Sequence, residues 1–431
     1  MPTNIAHISD IHFKVSPNQI GHDPNEQMRD EMIRDLEKKV AEWGKLDAII
    51  VSGDIAFAGR KDEFSLAKEW LKEILSRTNS HDAKIIVCPG NHDIDRSVLK
   101  AQPLIEDGHS AIRASPTNVK RESELLRRLG VEATRDLFYR ALENYNDFSQ
   151  QYNCSFYATK ENYSWHHDLL LDDGSKLRIR GLNSTTLCGQ QDVKGQLYIG
   201  RAAWNLKRED GIEYLVFAHH PPSWLLDGSE MVNELDDRAA IQLYGHEHKA
   251  RISQSGSSIV MYAGAVNPVR DEGDWLPGFN FIRISVTNDN STRKMLVKIF
   301  SREWQEQNPS QFKDYKGKGQ DGSHEYTKNL EKWSPPSVDN VPEPFVSPLP
   351  KATQINSSIN TNISVAAQVQ KSESEILSEF YDMQFSEQYD IVRNLGLLRE
   401  EDKGFPQFMQ IKRALIFAKS QNRISQLLNE K

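Results

Sequence analysis

Five short apolar runs in this chain each stop at a turn crowded with side chains that bind metals or move protons. That recurrence limits the fold more than any other feature. Ile5-Ala6-His7-Ile8 ends in Ser9-Asp10-Ile11-His12, and Ala48-Ile49-Ile50-Val51 ends in Ser52-Gly53-Asp54. Ile85-Ile86-Val87 closes on Cys88-Pro89-Gly90-Asn91-His92-Asp93. Later, Tyr214-Leu215-Val216-Phe217-Ala218 meets His219-His220-Pro221-Pro222, and Ala240-Ile241-Gln242-Leu243-Tyr244 meets Gly245-His246-Glu247-His248. Continuous apolar runs this short read as strands buried on both faces. Between the first three lie stretches of helical spacing: Met28, Met32, Leu36, Val40 and Trp43, then Phe64, Ala67, Leu71 and Ile74. Strands alternating with helices predict a parallel α/β sheet, whose active groups lie beyond the carboxyl ends of its strands. The first three polar clusters fall there.

Taken singly, each cluster has an ordinary explanation. Asp10 suits a helix cap, Asp54 a turn, His219 a satisfied core histidine, and His246 with His248 a solvated loop. Together they offer imidazole, carboxylate and amide oxygen, a donor set for manganese, iron or zinc rather than the all-oxygen shell of calcium. Asp-x-His and His-x-His on extended backbone place both side chains on one side. Two ions held close together need a bridging carboxylate, and Asp54 stands nearest the middle of the set.

These five clusters, in this order, resemble the signature of the calcineurin-like metallophosphoesterase superfamily over about residues 4–300. The resemblance implies a four-layered α/β/β/α sandwich with a two-metal centre at the strand ends. It implies two divalent ions, Mn²⁺ or alternatively Fe or Zn²⁺. Asp10, His12 and His248 would hold one, Asn91, His219 and His246 the other, and Asp54 would bridge them. His92 would face the leaving oxygen without binding metal, Asp93 would orient it or serve the turn, and His220 would stand behind the ligands. Asp54 and His92 are thus the expected catalytic pair. The bridging stretch Gly53-Asp54-Ile55-Ala56-Phe57-Ala58-Gly59-Arg60 departs from the Gly-Asp-x-Val-Asp-Arg-Gly of the protein phosphatases. His-His-Pro-Pro and Gly-His-Glu-His are similar to the branch that includes cyclic-nucleotide phosphodiesterases. The expected activity is hydrolysis of a nucleotide or nucleic-acid phosphodiester. The alternatives are a phosphomonoesterase and a metal-binding scaffold without turnover.

The rest of the chain sets the boundaries. Residues 1–305 form the expected catalytic domain, with 97–150 a helical cap insertion marked by Leu125, Leu126, Leu129, Leu137, Phe138 and Leu142. Residues 306–372, first rich in lysine and glycine and then in proline, serine and asparagine, read as a linker. Helical periodicity returns over 373–431, a small all-α module suited to a protein partner or self-association. It is faintly similar to effector-associated, death-fold-like adaptors, which implies an effector in a bacterial antiviral system. Net charge is −8, so no broad basic face for a phosphate backbone is implied. No apolar run reaches membrane-span length. Three sparse cysteines and a start without a signal pattern predict a cytoplasmic setting.

Overall fold

The computed structural model describes residues 1–15, 25–157, 164–267, 276–289, 292–306, 309–317 and 320–334, and within 376–428 residues 376, 377, 380, 383, 385–402, 407–421 and 423–428. Two sheets share one apolar core. In the first, β1 (Thr3–Ile8), β2 (Ala48–Ser52) and β3 (Lys84–Cys88) run parallel, built from the β-branched runs noted above. On the other side of β1 the direction reverses. There β10 (Gly278–Asp289) pairs antiparallel with β1, and β11 (Thr292–Gln305) with β10. The second sheet runs β4 (Trp165–Leu170), β5 (Lys176–Gly181), β6 (Ile212–Ala218), β7 (Ala239–Tyr244), β9 (Ser258–Tyr262), β8 (Arg251–Ser255). Its inner four strands are parallel and its edges antiparallel.

Helices cover the sheets through their apolar faces. Helix α1 (Glu26–Trp43) buries Met32, Ile33 and Leu36, and α2 (Lys61–Arg77) buries Phe64, Ala67, Leu71 and Ile74. Apart from Ile33, these are positions that the helical spacing selects, while Met28, Val40 and Trp43 of that spacing are half-buried. The expected insertion is a run of five helices: α3 (Arg96–Ala101), α4 (Pro103–Arg113), α5 (Asn118–Leu129), α6 (Glu132–Tyr139) and α7 (Glu143–Gln150). Short α8 (Arg201–Trp204) follows β5, and α9 (Gly228–Arg238) packs on β7 and β9. The result is the mixed α/β, two-sheet architecture expected. Among the described residues no helix is long and apolar enough to cross a membrane.

The linker expected from residue 306 begins too early. Strands β12 (Gln311–Gly317), β13 (Gln320–Asp321) and β14 (His324–Asn329) extend the first sheet, β12 and β14 both pairing with β11. Their lysines and glycines hide a strand whose anchor is electrostatic. Buried Arg302 grips both oxygens of Asp35 at 2.6 and 2.7 Å and reaches Asp314 at 2.5 Å, joining α1, β11 and β12. Phe312 then packs edge-on against Phe279 and Trp304. The proline- and serine-rich stretch over 335–375 lies outside the described residues.

The chain divides into two compact units, Met1–Ser337 and Val338–Lys431. In the second, α10 (Phe385–Asn394) and α11 (Gln407–Ser420) enclose Phe380, Val392, Leu397, Ile411, Ala414 and Leu427. Buried Asp402 accepts hydrogen bonds from Arg399 and Arg413.

Candidate metal centre

The polar turns at the ends of β1, β2, β3, β6 and β7 meet in one place because those strands are parallel within their own sheets. Oxygen or nitrogen atoms of Asp10, His12 and His248 converge within 4.8 Å, as do those of His12, Asp54 and His92. Asp10, Asp54 and His219 form a third such set, and His219, His220 and His246 a fourth. Asp54 Oδ2 lies 3.3 Å from His219 Nε2 and 4.0 Å from His12 Nε2, so its carboxylate stands between the histidines of the two sheets. His248 Nε2 is 3.1 Å from Asp10 Oδ1, and His246 Nδ1 is 3.2 Å from His219 Nε2.

Backbone strain accompanies this convergence. Asp10, His12, Asp54, His246 and His248 all adopt left-handed φ, between 51° and 67°. Among the described residues only Asn79 and Asn153 are other non-glycine cases. Each such residue costs about 1–2 kcal/mol, and strain of this kind gathers where side-chain aim matters more than local comfort. Gly90 shows the tightness: a β-carbon there would fall 2.5 Å from the Asp54 backbone nitrogen and closer still to its carboxylate.

The ring nitrogens are oriented from behind. His219 Nδ1 donates to the Ser52 carbonyl at 2.9 Å, which turns Nε2 toward the pocket. His92 Nδ1 donates to the Phe57 carbonyl at 2.8 Å, and its backbone N–H donates to Asp54 Oδ1 at 2.8 Å. His220 Nδ1 pairs with Ser184 Oγ at 2.9 Å. Several facing atoms are left without a hydrogen-bond partner among the described residues: both nitrogens of His12, Asn91 Oδ1 and His220 Nε2, all on buried residues. Buried polar atoms are rarely left bare. Bare imidazole nitrogens set among two carboxylates, with a bare amide oxygen on the residue next to His92, fit divalent cations, which would satisfy them together.

The model of one family, the calcineurin-like phosphoesterases, matches residues 3–250. The chain belongs to that family. Its members typically depend on two metal ions. Among curated proteins, the uncharacterized metallophosphoesterase-like protein YydB of Bacillus subtilis strain 168 is 23% identical over 321 residues. The match covers 70% of this chain and spans 61% of that relative's length. Among solved structures, GAP50 of Plasmodium matches with TM-score 0.39 and 11% identity over 77% of this chain and 90% of its own. Vps29 of Entamoeba histolytica with bound zinc has TM-score 0.30 and 10% identity, covering 75% and 99%. A putative 5′-nucleotidase of Staphylococcus aureus has TM-score 0.33 and 11% identity, covering 67% and 51%.

Charge in the phosphoesterase site follows from burial opposed by pairing. Burial, the largest influence on each, pushes His12 down to about 4 and His246 to about 3, and holds His220 well below the usual range, so these rings are neutral at pH 7. Burial also disfavours charge on His219, yet the Asp54 and Asp10 carboxylates prevail and raise it to about 9. Asp10 falls to about 2 and Asp54 well below the carboxylate range, burial being outweighed by neighbouring histidines.

Of the two roles expected for Asp93, the structure shows the turn: it does not orient His92, whose Nδ1 is taken by Phe57. Its carboxylate oxygens instead accept the N–H groups of Ala56 and Gly90 at 2.7 and 2.8 Å, lashing the β2 and β3 loops together. Burial, then the Asp54 charge, lift it to about 8. His220 is also not simply behind the ligands, since its bare Nε2 faces His219 and His246. Sequence reasoning missed Ser184 and Asn267, which follow β5 and β9 as the named clusters follow their strands. Asn267 donates from its backbone to the Asp10 carbonyl at 3.2 Å and from Nδ2 to the Ile11 carbonyl at 2.5 Å.

Proposed function

We propose that this chain is a two-metal phosphodiesterase acting on a nucleotide or nucleic-acid ester, with manganese as the preferred ion. The observation that carries the proposal is the Asp54 carboxylate standing between His12 of one sheet and His219 of the other. Asp10, His12 and His248 would hold the first ion, Asn91, His219 and His246 the second, and Asp54 would serve both. Two ions bound there would supply the positive charge that polarises a phosphoryl oxygen and makes water nucleophilic near neutral pH. The protein's part is orientation and proton handling. His12 and His246, kept neutral by burial, need lose no proton before ligating. His92, fixed through Nδ1 to Phe57, turns Nε2 toward the pocket, where it can steady a phosphoryl oxygen or protonate the leaving group.

The diester preference draws support from the residues after Asp54, which lack the protein-phosphatase pattern, and from His219-His220-Pro221-Pro222. Three buried free thiols, Cys88, Cys154 and Cys188, suit a cytoplasmic setting. Residues 373–431 serve as a partner-binding module that recruits the enzyme as an effector. Removing them should leave hydrolysis intact and abolish association; unchanged association would end that assignment. The catalytic reading is tested with Mn²⁺-loaded protein on bis- and mono-p-nitrophenyl phosphate. Faster turnover of the diester is expected. Preference for the monoester would make it a phosphatase, and silence on both would leave a metal-binding scaffold.

A further inference from the structure

Two half-buried aromatic rings flank the ligand cluster, one beside each proposed ion. Phe57 lies 5.6 Å from the His92 ring and 6.4 Å from the His12 ring, centroid to centroid. Trp224 lies on the other side, 4.1 Å from the His246 ring and 5.8 Å from that of His220. Both are partly exposed, as are His92 and His246 beside them, while His12 and His220 lie buried behind. Neither belongs to the ligand set; Phe57 stands clear of the core, and Trp224 packs only against its edge.

Both rings ride on braced backbone. The Phe57 N–H donates to the Phe13 carbonyl at 3.0 Å, while its own carbonyl holds His92. The Trp224 N–H donates to the Pro221 carbonyl at 2.9 Å, and its carbonyl accepts from Gly195 and Leu197 at 3.0 and 3.1 Å. Platforms fixed in advance lose little freedom when a ligand settles on them. Exposed Lys14 adds a cation 4.3 Å from the Phe57 centroid, a counter-charge beside that ring.

We infer that Phe57 and Trp224 are specificity residues that stack the two groups esterified to the phosphate. This rests on the diesterase reading and narrows it to one substrate class. A phosphodiester seated at the ligand cluster would project one ester group past His12 and His92 and the other past His220 and His246. A flat group on each side of phosphorus, as between adjacent nucleosides of a single strand, meets a ring at both ends. A cyclic mononucleotide carries one base and engages one ring. Stacking on an aromatic side chain tolerates any base, so this arrangement selects linear single strands without selecting sequence.

The test is steady-state kinetics of the Mn²⁺-loaded full chain, with Phe57→Leu and Trp224→Leu compared on bis(p-nitrophenyl) phosphate and methyl p-nitrophenyl phosphate. On the bis-aryl ester each variant should raise KM about tenfold, with a smaller effect on kcat. On the methyl ester, which has one flat group, only one of the two should raise KM. Manganese content, measured on the same samples, should match wild type. Variants that keep wild-type KM on the bis-aryl ester, or that do not differ from each other on the methyl ester, would overturn the assignment. So would loss of manganese, which would make the ring a prop for its histidines. A wild type that cleaves the monoester and neither diester would instead sink the diesterase reading beneath it.

Discussion

Replacing three glycines by alanine separates steric crowding from backbone strain at the proposed centre. Gly195 has φ +78 and nothing within 4 Å of the place an added methyl would occupy, so Gly195→Ala tests strain alone. A left-handed alanine costs about 1–2 kcal/mol, offset in part by the stiffer unfolded chain, for a net near ~1 kcal/mol. Gly90 has no such φ, but its β-carbon would meet the Asp54 carboxylate and lie 2.5 Å from the Asp54 nitrogen. Asp54 cannot retreat cheaply. His92 N–H holds its Oδ1, and its carbonyl accepts from Ile11 and His12 at 2.9 and 3.0 Å. Overpacking of about 1–3 kcal/mol, with loss of a hydrogen bond to a charged acceptor worth about 1.5–3, predicts ~3–5 kcal/mol for Gly90→Ala. Gly53 combines both costs, with φ +93 and the His219 ring 2.6 Å from its β-carbon, so it should be worst. Urea unfolding of the metal-free proteins measures the order, and calorimetric titration with Mn²⁺ measures what remains of the site. Gly90→Ala that unfolds like Gly195→Ala and still takes up two ions would show that the β2 and β3 loops do not approach as described.

Other outcomes follow from the same geometry. Asp54→Asn should abolish Mn²⁺-dependent hydrolysis, whereas His92→Ala should keep its manganese and slow turnover by about 10²-fold or more; a His92→Ala protein that loses metal contradicts the placement of that ring. His219 is raised from 6.5 to about 9, so the stability it contributes is complete below pH 6.5 and lost as pH climbs through 9. At about 1.36 kcal/mol per pH unit that is about 3 kcal/mol in the metal-free protein, and Asp93, raised by burial, acts in the same direction. Unfolding free energy that stays level from pH 6.5 to 9.5 would refute the pairing. Asp35→Ala leaves Arg302 buried with half its partners and should cost about 3–5 kcal/mol in denaturant, and a cost below about 1 would mean the pair is not desolvated.

The site was legible where chemistry sits on side chains at the tips of apolar runs. Asp10, His12, Asp54, His219, His246 and His248 all follow such runs, and strand direction does the rest. What stayed hidden works through the main chain. The carbonyls of Ser52 and Phe57 aim two imidazoles, yet any residue type supplies a carbonyl, so no letter in the sequence marks the role. For Asp93 the sequence left two roles, partner of His92 or turn residue, and only the backbone of the turn, which points it back into the loops, decides for the second. Strands β12 to β14 were lost for a different reason. Their pairing depends on Arg302 meeting Asp35 and Asp314, and hydrophobic periodicity does not register that kind of anchor.

His219 belongs to the second sheet, and the carbonyl it grips belongs to Ser52 of the first, where the Ser9 hydroxyl also donates and the Ser52 hydroxyl meets His7. The same imidazole that would take hold of an ion is therefore a latch between two halves of the sandwich. Sliding one half against the other by a fraction of an ångström would pull that ring out of aim, and a cation seated on it would resist the slide. Metal uptake and mechanical stiffness of this molecule should rise and fall as one property.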